Sequence, residues 1–165
     1  MTSGPRSSLR LWIDADGCPV LPEARRIAAR HGAPVTVVGG PSARHGQESS
    51  EGYEVVVVGT ASEAADDYIA ARAAPGEIVL TDDLLLADRS LKAGAAALSS
   101  RGVIFTPDSI GALLARREIG KFLREIGETS GGPQPFGSDF RSRFKHALHE
   151  LMERLKREAG RPAGA

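Results

Sequence analysis

One cysteine, one tryptophan and no excess of either charge make this a chain to read first by what it does without. With Cys18 alone, neither an intrachain disulfide nor a cysteine-based zinc site can form. Lys plus Arg equals Asp plus Glu at 21 each, so no overall field draws the molecule to nucleic acid or membrane, and any contact with a polyanion must come from local patches. Residues 1–10 hold no apolar run of signal-peptide length, and no later run is long enough to cross a bilayer. Together with the lone thiol, this sets the expectation of a cytoplasmic protein with no membrane partner. What is present is ordinary: 165 residues, 41% hydrophobic and 25% charged, enough for one domain with a real core. The expected layout is a disordered tail at 1–8, a single domain over 9–158 and a second disordered tail at 159–165.

The order of elements follows from apolar runs and their punctuation. Residues 9–13 predict a first strand. A helix follows from about Pro19 or Pro22 to residue 31, with Val20, Ala24, Ile27 and Ala28 as its apolar stripe and Gly32 and Pro34 as its stop. Residues 35–38 predict a second strand, and residues 39–52 a long polar loop. A third strand over 53–58 is continuously apolar, as in a sheet covered on both faces. Then come a helix over 61–73, a fourth strand over 78–81 and a helix over 84–92. Residues 95–98 and 103–105 predict a fifth strand and a short partner. Thr106 caps a helix to about residue 117, and a second helical piece carries Ile119, Phe122, Leu123 and Ile126. A linker rich in Gly, Ser and Pro spans 127–137. The last helix, about 139–158, carries Phe140, Phe144, Ala147, Leu148, Leu151 and Leu155 as one stripe, which packs on the domain or on a second copy in a homodimer. Alternating strand and helix predicts an α/β fold, a mostly parallel sheet of about five strands flanked by helices.

Two of these strands end in acids. Leu11-Trp12-Ile13 runs into Asp14-Ala15-Asp16, and Ile78-Val79-Leu80-Thr81 runs into Asp82-Asp83. Asp14 and Asp16 share a face of an extended chain, as do Thr81 and Asp83. Ligands of open α/β sheets bind at the carboxyl ends of strands, where these acids lie. Two carboxylates about 5 Å apart repel by about 3 kcal/mol at an effective dielectric near 20, so a cluster calls for a divalent cation. Each acid also has a plainer explanation: an Asp after a strand often caps the next helix, Asp82 reads as a solvated neighbour or cap, and Glu63 with Asp66 and Asp67 reads as a helix face. Cys18 reads as a small buried residue rather than a thiolate. His146 and His149 are one turn apart with no third ligand in view, and His31 falls in a last helical turn that favours its charge. His45 lies in the long loop. Arg25, Arg26 and Arg30, with Arg116, Arg117, Lys121 and Arg124, form basic faces able to meet phosphates or simply water.

Several stretches together resemble the bacterial YaiI/YqxD family, whose members look like PIN-type nuclease domains. They are Trp12-Ile13-Asp14-Ala15-Asp16-Gly17-Cys18-Pro19-Val20, Ala65-Asp66-Asp67, Gly76 to Asp83 with Leu86-Ala87, Gly94-Ala95-Ala96-Ala97-Leu98, Arg101-Gly102 and Gly131-Gly132-Pro133. The resemblance implies a Rossmann-like PIN fold with the first and fourth strands adjacent. It also implies an acidic cluster of Asp14, Asp16, Asp66 and Asp83, with Thr81 beside it, that holds Mg2+ or Mn2+ for phosphodiester hydrolysis, with RNA as the expected substrate. The loop from Gly39 lacks the basic run expected of a substrate-binding segment there. Two other readings stay open. One is a haloacid-dehalogenase-like phosphatase with Asp14 as nucleophile, Asp16 as acid and Asp82, Asp83 and Asp88 around magnesium. Its phosphoryl-holding lysine should precede the second acid cluster, whereas the first lysine here is Lys92. The other is an inactive module that binds RNA or a protein partner.

Overall fold

The computed structural model describes residues 9–16, 18–41, 49–127 and 136–161. Both expected tails (apart from residues 159–161), Gly17, His45 and Gly131-Gly132-Pro133 lie outside them. The elements run β1 (Leu11–Asp14), α1 (Leu21–Arg30), β2 (Val35–Gly39), β3 (Tyr53–Val57), α2 (Ala64–Arg72), β4 (Ile78–Leu80), α3 (Leu84–Lys92), β5 (Ala96–Leu98), β6 (Ile104–Phe105), α4 (Pro107–Glu125) and α5 (Ser138–Ala159). Among the described residues, no helix is long and apolar enough to cross a membrane.

The strands form one six-stranded sheet in the order β3-β2-β1-β4-β5-β6. All neighbours are parallel except β5 and β6. This is a Rossmann-like α/β arrangement, and the implied adjacency of the first and fourth strands holds: Leu11, Trp12 and Ile13 pair with Ile78, Val79 and Leu80. The sheet has six strands because the short partner after β5 joins it as the antiparallel edge.

Strand side chains alternate between two covered faces. Leu11, Ile13, Val37, Ile78 and Leu80 meet α1 and α5 on one. Trp12, Val38 and Val79 meet Ala65 and Ile69 of α2 and Leu86 of α3 on the other. Trp12 Nε1 also donates to Glu77 Oε2 at 2.7 Å, tying β1 to the turn before β4. The stripe on the last helix is used within the chain: Phe144, Leu148, Leu151 and Met152 are fully buried against the α1 side of the sheet.

Local chemistry explains the boundaries. Pro22 sits in the first turn of α1, and Gly32 follows its end at φ +65°, a conformation open to glycine. Thr106 and Ser109 form a reciprocal capping box at the start of α4. The two expected helical pieces after Thr106 are one continuous helix. Ile110 is buried at its start, whereas Ile119, Phe122 and Ile126 are exposed. At ~100° per residue, Ile119 lies ~180° around the helix from Ile110. The stripe thus changes sides without a break in the backbone.

Candidate acidic site at the carboxyl edge of the sheet

Strand order reverses direction between β1 and β4, and the crevice at their carboxyl ends is where this architecture binds ligands. Asp14 is the last residue of β1, and Thr81 follows β4 directly. Thr81 is 2% exposed, and its hydroxyl joins the two strand ends. It donates to Asp14 Oδ2 at 3.1 Å and accepts the backbone N–H of Asp83 at 3.0 Å. The other Asp14 oxygen accepts the Asp16 N–H at 3.3 Å. Asp83 caps α3, its Oδ1 accepting from the amides of Leu85 at 2.8 Å and Leu86 at 3.3 Å. That is the plainer role weighed for an acid after a strand, and it leaves Oδ2 outside the cap.

Asp66 enters from the first turn of α2, where a negative charge gains from the helix dipole. Its pKa is nonetheless pushed up from 3.8 to about 6, first by burial and then by the charges of Asp83, Asp14 and Asp16, with Arg89 opposing. The Asp14 carboxyl is also raised, chiefly by burial. The Asp16 amide and Thr81 hydroxyl counteract this, and Asp16 and Asp83 add to it. The four acids are therefore electrostatically one group, and it carries excess negative charge.

Their spacing is looser than a closed metal cage. No three of these carboxylates bring oxygens within 4.8 Å of one another among the described residues. An all-oxygen donor set suits Mg2+ or Mn2+, and Mg2+ keeps several waters while using one or two carboxylates. The residues fit such a hydrated ion. Beside them opens a cleft of about 620 Å³, lined by Glu63, Asp66, Asp83, Asp88, Arg89 and Arg117 among others. Arg89 is held by Asp67 at 2.9 Å. Arg117 belongs to one of the basic faces noted above; nothing in the spacing of Arg89 pointed to the cleft.

Asp82 is exposed, as expected of a solvated neighbour, and also has a specific partner. It accepts from the Ser100 amide at 2.8 Å and from its hydroxyl, fastening the turn after β5 to the end of β4. Cys18 is partly buried, and burial followed by Asp82, Asp14 and Glu23 pushes its thiol up to about 11, in keeping with an inert small residue. The histidines differ from expectation. His31 caps the C-terminus of α1, but its pKa is lowered by burial, Lys156 and His149, so a charge there is disfavoured. His149 pairs with His31, not with His146. Arg25 stacks on Tyr53 with its guanidinium carbon 3.9 Å from the ring centre, near the amino ends of β2 and β3 and away from the acids.

A family model described as the uncharacterised YaiI/YqxD family matches residues 12–154. The chain belongs to that family. A UPF0178 protein of Caulobacter vibrioides (strain NA1000 / CB15N) is 46% identical over 151 residues, covering 92% of this chain and 97% of the relative. UPF0178 proteins of Bradyrhizobium diazoefficiens and Rhodopseudomonas palustris (strain TIE-1) are each 44% identical. They cover 90% and 93% of this chain, and 87% and 96% of their own lengths. No solved structure gives a significant match. The YaiI/YqxD match spans every element from β1 through most of α5, so it includes all four acids.

Proposed function

We propose that this YaiI/YqxD protein is a metal-dependent phosphodiesterase acting on nucleic acid, with RNA the first substrate to test. The observation that carries the reading is the mutual repulsion of Asp14, Asp16, Asp66 and Asp83 at the switch point of the sheet. Acids held together at such a position, beside a cleft where Arg89 and Arg117 stand among further acids, favour a cation and a phosphate over an empty site.

Each residue then has a part. Asp14 and Asp83 hold the ion, with Thr81 fixing the Asp14 carboxylate and the amide of Asp83 in one relation. Asp16 and Asp66 orient water around it. Arg117 and Arg89 face the phosphates of a strand in the cleft. A bound Mg2+ or Mn2+ would supply Lewis acidity and ease deprotonation of the attacking water. The phosphatase alternative is disfavoured by two contacts: Asp82 is committed to Ser100, and the Lys92 amine bonds Asp88 at 2.8 Å instead of being offered to a phosphoryl group.

Cleavage of labelled single-stranded and duplex RNA and DNA with Mg2+ or Mn2+ tests the proposal. Asp14→Asn should lose at least about 100-fold in rate with the fold retained, as expected for a direct ligand. Unchanged cleavage in that variant refutes the scheme. RNA binding that ignores chelator, without cleavage, indicates a binding module.

A further inference from the structure

A second cluster of ligating side chains lies at the opposite edge of the sheet, since α1 starts at the carboxyl edge and runs back. His149 and Glu153, four apart, share one face of α5. His31 meets them from the C-terminus of α1. Its Nε2 is 2.9 Å from His149 Nδ1, and its Nδ1 is 3.5 Å from Glu153 Oε1. One ligand atom from each of the three lies within 4.8 Å of the others.

Hydrogen bonds serve this group poorly. The His31 side chain is 4% exposed, and its Nδ1 has no hydrogen-bond partner. If His31 Nε2–H donates to His149, a bare Nδ1 lone pair faces the Glu153 carboxylate. If His149 donates instead, the buried His31 Nδ1–H has only Glu153 Oε1 to meet, at 3.5 Å and outside good hydrogen-bond geometry. Double protonation of His31 leaves the same long Nδ1 contact. A cation would engage the His31 Nδ1 lone pair that no hydrogen bond uses.

We propose that His31, His149 and Glu153 form a site for a divalent transition ion of the zinc class, clamping α5 to α1. Two imidazoles and a carboxylate are a donor set zinc uses, and imidazole favours Zn2+ or Co2+ over Mg2+. The negative end of the α1 dipole adds a favourable field. Lys156 Nζ, 3.6 Å from Glu153 Oε1, is the cation the metal displaces. The site is independent of the acidic edge and of any activity there.

Titration of the full chain with Co2+, in excess Mg2+ to occupy the acids, tests the proposal. One equivalent should produce visible ligand-field bands of a low-coordinate site, and Zn2+ should erase them. At a hundredfold excess over Kd, Zn2+ should raise Tm by about 8 °C. His149 is exposed, so His149→Gln should fold normally by circular dichroism and lose both responses, whereas Asp14→Asn should keep them. Failure of the wild-type chain to respond overturns the proposal, as does a response that survives His149→Gln or disappears in Asp14→Asn.

Discussion

Replacing Asp66 with Asn should make the metal-free protein more stable at neutral pH. The carboxyl is raised from 3.8 to about 6 in the folded chain, by burial and by Asp83, Asp14 and Asp16. An acid raised on folding holds its proton longer in the native state. As pH rises from 3.8 to about 6, the unfolded chain ionises first and stability falls; above about 6 the loss is complete. Taken whole, the gap is worth about 3 kcal/mol. Asp66 is only half-buried and water screens its neighbours, so about 1 kcal/mol is the realistic gain from removing the charge. For a chain of this length, that raises Tm by about 3 °C. The assay is thermal melting of both proteins in EDTA across pH 3 to 8. The curves should converge below about pH 4 and separate, with the variant higher, above pH 6. A variant equally or less stable at pH 7.5 refutes the claim that the acids form one repelling group.

Thr81→Val keeps the shape but leaves the Asp83 amide without its acceptor and Asp14 without its donor. It should cost about 2 kcal/mol in urea unfolding and lower Mn2+ affinity in calorimetry. Gly102 sits at φ +84°, and a Cβ there would fall 2.7 Å from the Arg143 carbonyl carbon. Gly102→Ala should therefore lower stability by about 2 kcal/mol or more and loosen α5, seen as faster amide exchange in that helix.

Much of this molecule was legible in its sequence because local rules and tertiary demands agree. Leu11-Trp12-Ile13 reads as a strand covered on both faces, and it is one. The expected and observed helices coincide at 84–92, although the cap is Asp83 and not the expected Asp82. The acidic edge was visible as two strands ending alike, since parallel neighbours place such ends side by side. Less legible were features that depend on distant pairing. The Ser100 partner of Asp82 arrives from the far end of β5, and the His31 partner of His149 is 118 residues away. The continuity of α4 was masked because its apolar stripe changes sides, and a stripe reports what a helix touches rather than whether it persists.

The place of α5 after all six strands has a consequence for biosynthesis. Phe144, Leu148, Leu151 and Met152 close the α1 side of the sheet, and they are translated after every strand they cover. At 5–20 residues per second, a growing polypeptide presents the strands bearing Asp14 and Asp83 for several seconds before that cover emerges. The nascent chain thus carries its carboxylates well before it can fix them in place, and its exposure to misassociation lasts until α5 has docked.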